Sequence, residues 1–316
     1  MSFITQNIPE GAIRFNTDSS KMELWNGQKW MIISTSSPNL GNSNAGARGI
    51  FPGGWRNTPS TARSNGIDFI TISSAGDATD FGDLSRRTAY FGTCSSRTRG
   101  IIAGGQGNNS SGAVNTIEFI TISSTGDSQN FGDLPAAING HYGHSNEVRG
   151  VFATGYNPSP SFASRDDISV LTIASTGNAT DFGDTTVARA SGASFSSTTR
   201  AVFGGGYTPS PTPSTELNVV DYVTIASTGD AQDFGDLSIQ GSYFYGTSDQ
   251  TRGIFNGRMT NQPYTGDPII DTVIIATTGN AVEWGEQHRM DSGPHDGQAL
   301  VRRSSMMVSD SHGGLS

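Results

Sequence analysis

The sequence is poor in charge, in lysine and in cysteine. Only 15% of its 316 residues are charged, against ~25% in typical soluble proteins, and its two lysines are Lys21 and Lys29. The net charge of -9 excludes the clustered positive charge that non-specific nucleic-acid binding requires. The single cysteine, Cys94, excludes an internal disulfide. We therefore expect no nucleic-acid partner and folding that does not depend on oxidation, as in a reducing cytoplasm.

Long apolar runs are missing as well. No run approaches the ~18 residues of a transmembrane helix. The opening stretch MSFITQNIPEGAIRF is broken by polar residues and Pro9, so it lacks the apolar core of a secretory signal. The Ala-, Leu-, Glu- and Lys-rich stretches of helical bundles are absent too, and 41 glycines stand in their place. These features predict no membrane insertion and disfavour a helical fold.

An internal repeat of about 51 residues dominates the chain. Each copy begins with Arg, a small residue and an apolar pair, as in RGIF, RGII, RGVF and RAVF. Glycines follow, then a variable segment, a β-branched stretch such as ITISS, a turn containing Gly and Asp or Asn, and a motif such as DFGDL. The arginines that open the five copies are Arg48, Arg99, Arg149, Arg200 and Arg252.

Every part of the repeat favours β-strands. ITISS alternates with a period of two, and Ser-Thr-Gly followed by Asp or Asn suits a tight hairpin turn. A further short stretch precedes each arginine, so the repeat contains four strands, named a, b, c and d in chain order. Four antiparallel strands repeated about every 50 residues are typical of a kelch-type propeller blade. The predicted blades cover residues 38–84, 88–134, 138–184, 189–237 and 241–285.

Two fragments flank these five blades. Residues 11–30 match strands c and d, and residues 297–314 match strands a and b, with Met306 and Met307 at the apolar pair. Pairing of the two fragments would complete a sixth blade and remove exposed sheet edges. The sequence thus predicts an all-β, six-bladed kelch-like β-propeller, closed by strands from both termini, as a single domain over residues 1–316. A five-bladed ring with a separate N-terminal hairpin is the alternative.

Side chains that recur in every repeat are predicted to be structural, because a unique site would break the repeat. The arginines are expected to bond an acidic residue or a backbone carbonyl at a neighbouring turn. The aromatic residue of strand d is expected to fill the gap between neighbouring blades. The five aromatic residues concerned are Phe81, Phe131, Phe182, Phe234 and Trp284.

No enzyme motif stands out in the sequence. His141 and His144 have a spacing compatible with a metal site, but no Cys partner is near, and we expect them to face solvent or a central channel. Cys94 is expected to be a small buried side chain in strand a. A nucleophile triad, a phosphate loop and a carboxylate pair that breaks the repeat are not recognisable. We therefore predict no catalysis, no cofactor and no bound metal.

The repeat fails in the connections between strands b and c. In an antiparallel four-stranded blade these connections emerge at the same end as the d–a connections, while the nearly constant c–d turns lie at the other end. Aromatic and arginine side chains are enriched in binding hot spots, and drift of unconstrained loops is the alternative explanation. The candidate partner-binding residues are Trp55, Arg56, Tyr156, Phe162, Tyr207, Arg258, Met259 and Tyr264.

Two parts of the sequence resemble structural proteins of tailed bacteriophages. The segment GAIRFNTDSSKMELWNGQKW from Gly11 is similar to segments of tail, fibre and neck-associated proteins. The repeat, with RGIF, ITISSTGD and DFGDL, resembles the kelch-like repeats of virion proteins from aquatic, especially cyanobacterial, phages.

The resemblance implies a non-enzymatic virion structural protein, assembled in the bacterial cytoplasm. Its expected place is a tail or tail-fibre-associated module that mediates protein docking or host attachment. The expected partners are other virion proteins and, in host attachment, a surface glycan or receptor. A capsid decoration protein and a glycan-binding host-recognition module are the alternatives.

Overall fold

The chain divides into two compact units, residues 1–41 and 42–316. The computed structural model describes residues 8–16, 21–32, 48–56, 62–72, 74–107, 112–157, 163–208, 215–258, 266–286 and 307–308. All regular elements in these ranges are β-strands, arranged in small antiparallel sheets. The predicted all-β class is therefore confirmed.

The N-terminal unit contains a three-stranded antiparallel meander. Its strands are β1 (Ile13–Asn16), β2 (Lys21–Trp25) and β3 (Trp30–Ile32). On one face, Arg14 donates to Glu23 at 2.8 Å and lies 4.1 Å above the Trp30 ring. The opposite face presents exposed apolar side chains because the pleat alternates. These are Ile13, Phe15, Met22, Leu24 and Met31.

The second unit contains five sheets, numbered 1 to 5 along the chain, that follow the predicted order of strands. Sheet 1 contains β4 (Arg48–Pro52), β7 (Gly66–Thr71), β8 (Thr79–Asp83) and β27 (Met307–Val308), and a hairpin of β5 (Trp55–Arg56) and β6 (Ala62–Arg63) lies between β4 and β7. Sheet 2 contains β9 (Gly92–Ser95), β10 (Arg99–Ala103), β11 (Val114–Thr121) and β12 (Gln129–Ile138).

The remaining sheets repeat this order. Sheet 3 contains β13 (Tyr142–Ser145), β14 (Arg149–Ala153), β15 (Tyr156–Asn157), β16 (Ala163–Thr172) and β17 (Thr180–Arg189). Sheet 4 contains β18 (Ala193–Ser196), β19 (Arg200–Gly204), β20 (Tyr207–Thr208), β21 (Thr215–Thr224) and β22 (Gln232–Gly241). Sheet 5 contains β23 (Tyr245–Ser248), β24 (Arg252–Asn256), β25 (Ile269–Ile274) and β26 (Val282–Glu286).

The C-terminal strand pairs differently from the prediction. Met307 lies opposite Ile50 and Val308 opposite Gly49, so β27 takes the strand a position of sheet 1. The expected pairing of residues 297–314 with residues 11–30 is therefore corrected for Met307–Val308. The N-terminal strands pair with one another in their own meander, and β27 covers the strand a edge of β4.

The motif that reads DFGD in sheets 1, 3 and 4, NFGD in sheet 2 and EWGE in sheet 5 forms a β-bulge in each of the five sheets. In sheet 2, Ile117 lies opposite Gly132 and Glu118 opposite Asn130, which leaves Phe131 as the extra residue. The bulge directs this ring against the neighbouring strands, and Phe131 lies 6.0 Å from the Phe119 ring in an edge-to-face contact. The equivalent bulged residues are Phe81, Phe182, Phe234 and Trp284.

The core lies between consecutive sheets. Phe81 packs with Phe91, Ile102 and Ile120 of sheet 2, and Phe131 packs with Phe152 and Leu171 of sheet 3. The four bulged phenylalanines are 2–3% exposed and are buried between consecutive sheets. Trp284 in sheet 5 is the exception, because it is 57% exposed.

The repeated arginines join each sheet to the next, as predicted. Each lies at the start of strand b, and the arginines of sheets 1 to 4 donate from Nη1 to the carbonyl of the residue after strand c of the following sheet. The pairs are Arg48 with Ile122, Arg99 with Ile173, Arg149 with Ile225 and Arg200 with Ile275, at 2.8–3.0 Å. Their role is thus a scaffold contact.

A serine ladder joins strand a of successive sheets. Ser145 Oγ donates to the Ser95 carbonyl at 2.6 Å, and Ser196 Oγ donates to the Ser145 carbonyl at 2.9 Å. Ser248 Oγ continues the series to the Ser196 carbonyl at 2.8 Å. The first strands of sheets 2 to 5 therefore lie side by side in chain order.

Candidate functional site

The connections that carry the predicted partner-binding residues lie at one end of the sheets. We call this end the loop face and define it as the b–c and d–a connections of sheets 1 to 5. Ala89 pairs with Gln106, Asn139 with Tyr156 and Ala190 with Tyr207. Each pair joins a residue just before strand a to a residue just after strand b. The predicted placement of the two kinds of connection at the same end is confirmed.

Three of the predicted residues on the loop face lie in short antiparallel strand pairings. Tyr156 lies on β15 and pairs with Ser164 of β16. Tyr207 lies at the equivalent position on β20 and pairs with Glu216 of β21. Trp55 lies on β5, where its backbone pairs with Arg63. These residues are held by main-chain bonds, so their side chains start from a fixed backbone.

Tyr207 has an aromatic neighbour on the loop face. Its ring centroid lies 5.8 Å from that of Tyr243, with an interplanar angle of 34°. Both side chains are half-buried. Because Tyr243 belongs to the d–a connection before sheet 5, the pair joins two different connections. It forms an aromatic surface of the kind that stacks on planar or apolar ligand groups.

A set of left-handed residues ties the d–a connections together. The residue two positions before strand a has φ near +60° in each of sheets 2 to 5: Tyr90, Gly140, Ser191 and Tyr243. Their main chains are bonded in series, from Gly140 N to Tyr90 O at 2.8 Å and from Tyr243 N to Ser191 O at 2.5 Å. A tyrosine at positive φ is strained. The main-chain bonds hold these residues in the strained conformation and so define the geometry at the base of the loop face.

The remaining predicted residues have different surroundings. Arg258 is buried, donates to the Gln240 carbonyl at 2.5 Å and forms an ion pair with Asp267. These contacts join the connection that carries Arg258 to β22 of sheet 4 and occupy the guanidinium group. The backbone of Arg56 lies on β5, opposite Ala62. Phe162, Met259 and Tyr264 lie outside the described residues.

The c–d turns, at the end opposite the loop face, form hydrogen bonds between neighbouring sheets. Gly126 N donates to Phe81 O at 2.7 Å, so the c–d turn of sheet 2 bonds to strand d of sheet 1. The Asp127 carboxylate of this turn accepts from Asp83 N at 2.9 Å. Equivalent turns contain Gly177 with Asn178, Gly229 with Asp230 and Gly279 with Asn280. The constant turns thus act as connectors between sheets.

The two central histidines are core residues, which corrects the expectation of a solvent or channel position. His144 is 2% exposed, and burial lowers its pKa to about 3, against the opposing effect of its hydrogen bond to the Ser194 backbone. His141 is 4% exposed and accepts from Gly92 N through Nε2 at 3.2 Å. A neutral, buried imidazole in a hydrogen bond is a packing element.

The Cys94 thiol and the Arg189–Asp221 ion pair are also buried. Cys94 is buried, as predicted, and burial raises the pKa of its thiol. Arg189 and Asp221, both fully buried, form an ion pair at 2.7 Å. Asp221 also accepts from Thr186 Oγ1 at 2.5 Å. The sequence does not predict this ion pair. Its two residues are 32 positions apart, and the pair does not recur in the other sheets.

Within the described ranges, no group of three or more His, Cys, Asp or Glu residues is placed to hold a metal ion. Nor does the described part of the chain contain a helix of the length and apolar character that crossing a bilayer demands. No protein-family model matches the sequence, and no curated protein matches it. The loop face is therefore the candidate functional site on geometry alone.

Proposed function

We propose that the chain is a non-enzymatic structural protein of a phage virion, in a tail or tail-fibre-associated module, and that it binds its partner through the loop face. The observation that supports this proposal most is the contrast between the two ends. One end is nearly constant and bonded into the sheet interfaces, while the other carries the variable, aromatic connections. Variable loops on a rigid scaffold are the usual carriers of recognition.

The proposal of a virion protein also draws on the resemblance of residues 11–30 and of the repeat to phage structural proteins. Protein docking is the primary role proposed, with other virion proteins as partners. A propeller scaffold hosts many activities, so the loop face and not the fold defines the function.

Substitutions on the two ends test the function. Trp55→Ala and Tyr207→Ala are expected to weaken co-sedimentation with virions at least tenfold, with a loss of stability within about 1 kcal/mol. Gly126→Ala is the control at the other end. Gly126 has φ +152°, which strains any other residue, so this variant is expected to lose stability without a direct effect on attachment. Undiminished co-sedimentation of both loop variants would contradict the proposed binding face.

We further propose that sheets 1 to 5 close as a five-bladed kelch-like β-propeller, in which sheet 1 covers the open face of sheet 5. Ile72 in sheet 1 is 50% exposed, whereas its counterparts Ile122 and Ile225 are at most 1% exposed. Trp284, on the facing side of sheet 5, is exposed in the same way. Each sheet must bury both faces against a neighbour, and these two faces carry the two halves of the repeated interface.

An engineered disulfide tests this closure. Asp83 N lies beside the Asp127 carboxylate at the interface of sheets 1 and 2, and Glu286 and Asp77 are the equivalent residues of sheets 5 and 1. In a Cys94→Ala background, Asp77→Cys with Glu286→Cys is expected to form an intramolecular disulfide. Asp83→Cys with Asp127→Cys is the matched control. If the control disulfide forms and the closure disulfide does not, sheet 1 does not cover sheet 5. That result would contradict five-bladed closure and would favour the six-bladed prediction.

Glycan recognition is the second candidate function, and the Tyr207–Tyr243 pair favours it. Tilted aromatic rings on a fixed backbone suit the apolar faces of sugars. Binding on a glycan array that is lost in Tyr207→Ala, with co-sedimentation unchanged, would favour this function over protein docking.

A further inference from the structure

The three-stranded meander of the N-terminal unit carries an exposed apolar face. Ile13 lies opposite Leu24, which in turn lies opposite Met31 of β3. Phe15 lies opposite Met22. Residues directly opposite each other on neighbouring strands share one face of the sheet, so these five side chains form a continuous surface, which we call the meander face. Each of them is 36–58% exposed.

The described part of this unit contains no apolar core. Among the side chains described in residues 8–16 and 21–32, only Glu23 is less than a tenth exposed, and it accepts hydrogen bonds from Arg14 and Asn16. A three-stranded sheet needs a covered apolar face to be stable, and folded units of about 40 residues commonly rely on association. The meander face therefore needs an apolar surface to cover it.

The N-terminal unit is electrically neutral, unlike the rest of the chain. It contains three basic and three acidic residues, so the whole net charge of -9 belongs to residues 42–316. The six charged residues are Arg14, Lys21, Lys29, Glu10, Asp18 and Glu23. None of them belongs to the meander face. Two copies of the chain can therefore approach through these faces without the like-charge repulsion that opposes contact between their acidic units.

The area of the meander face suits a symmetric pair. Large apolar side chains have on the order of 200 Å² of surface each, so five that are 36–58% exposed present about 500 Å² together. Two such faces bury ~1,000 Å², which is the lower limit for a specific protein–protein interface. A twofold axis brings the same patch of both copies together, and a patch without charge is compatible with itself.

We propose that the N-terminal unit is a pairing module, in which the meander face packs on the meander face of a second copy of this chain. The two sheets form a sandwich with a spacing of about 10 Å. Their facing side chains supply the shared apolar core that the described part of one unit lacks. This inference goes beyond the proposed binding role of the loop face and does not depend on it.

Sedimentation velocity of the full chain tests the pairing. A dimer with a Kd in the micromolar range is expected, because the interface is small. Since the contact is apolar and the paired units are neutral, the dimer is expected to be at least as stable in about 1 M NaCl as in about 0.1 M NaCl. A monomer at every concentration up to about 1 mM would overturn the proposal. A dimer that dissociates in 1 M NaCl would overturn it as well, because its contact would be ionic.

A charge placed in the meander face tests its location. Phe15→Glu is expected to weaken dimerisation at least a hundredfold, because the carboxylate would be buried without a partner. Val148→Glu is the matched control and is expected to leave the dimer unchanged, since Val148 is 59% exposed against 58% for Phe15. The Trp25 and Trp30 rings lie 5.5 Å apart, and their coupled far-UV circular dichroism reports whether the meander stays folded. A Phe15→Glu chain that keeps this signal and still dimerises would contradict the proposal.

Oxidation of Met22 and Met31 by peroxide gives a reading that needs no variant. Both side chains are 44% exposed in the single chain and become buried in the pair. Their oxidation, followed by peptide mass spectrometry, is expected to be at least fivefold slower at about 1 mM protein than at about 1 μM. Slow oxidation at both concentrations would show that the face is covered within one chain. Fast oxidation at both would leave it for a different protein, and either result would overturn pairing.

Discussion

At the scale of single residues, the buried polar groups make the chain sensitive to its conditions. His144 is neutral in the folded protein because burial lowers its pKa to about 3, while an unfolded histidine titrates near ~6.5. Arg189 and Asp221 are both charged and fully buried. The Asp221 carboxylate has buried counterparts in Glu118 and Asp271 of sheets 2 and 5. The repeat carries no counterpart of His144 or Arg189, so it does not reveal these two side chains.

The histidine predicts a loss of stability in acid. Because its pKa is lower in the folded state, protons bind preferentially to the unfolded chain below about pH 6.5. The contribution of His144 is full above that pH and is lost as the pH falls toward 3, by up to about 1.4 kcal/mol per pH unit. Urea unfolding of His144→Gln from pH 7 to pH 4 is expected to show a shallower decline than the parent chain. Identical slopes would contradict this account.

The buried ion pair predicts a large and asymmetric mutational effect. Asp221→Ala leaves the Arg189 charge buried without its carboxylate and is expected to cost about 3–5 kcal/mol in the free energy of unfolding. The double variant Arg189→Met with Asp221→Leu removes both charges and is expected to recover most of this loss. Denaturant unfolding of the three chains measures the difference. A double variant no more stable than Asp221→Ala would show that the charge is not the cause.

At the scale of elements, the sequence predicted the strands, their order and two of the three kinds of contact that join the sheets. The arginines and bulged aromatics repeat, so their structural roles were predictable from Arg99 and Phe131. The serine ladder also repeats, at Ser95, Ser145, Ser196 and Ser248. It was not predictable, because serine is common in this chain and its recurrence carries little signal.

Glycine at the bulge predicts how strongly neighbouring sheets depend on close backbone contact. A Cβ on Gly132 would lie within 2.3 Å of Gly177 O in the next sheet, and its φ is +155°. Gly132→Ala is therefore expected to separate two sheets and to cost more than the ~1–3 kcal/mol of backbone strain alone.

Gly285 occupies the same bulge position in sheet 5, with φ +157° and no atom near its Cβ position. If sheet 1 covers sheet 5 as proposed, Gly285→Ala is expected to destabilise the chain as much as Gly132→Ala does. Thermal unfolding compares the two variants. A loss of stability in Gly285→Ala no larger than the ~1–3 kcal/mol of backbone strain would contradict closure by sheet 1.

At the scale of the whole molecule, the least predictable feature was the pairing of the chain ends. Residues 297–314 carry the pattern of strands a and b, and the pattern says which strands they resemble but not which sheet receives them. The N-terminal strands have local partners, seen in Trp25 opposite Trp30, and β4 offers the open edge that Met307 and Val308 cover. Strand register is specified by geometry and by available edges, which a sequence pattern alone does not contain.

The loop face was predictable as a location, since connections of an antiparallel sheet must alternate between its ends. Its individual side chains were not. Arginine is a residue type common in binding hot spots, but Arg258 donates to the Gln240 carbonyl and forms an ion pair with Asp267. No motif in the sequence indicated Tyr243 as part of the site. Its backbone has a left-handed conformation that the sequence does not predict, and its ring lies beside that of Tyr207.

Hydroxyl-radical footprinting of the free chain and of the chain in assembled virions tests the central claim most directly. The account predicts that assembly protects Trp55, Tyr156 and Tyr207 on the loop face from oxidation. It also predicts that the exposed c–d turns, including Asp77 in sheet 1, react equally in both states. Protection of the c–d turns with no change at the loop-face aromatics would contradict the assignment of the binding face.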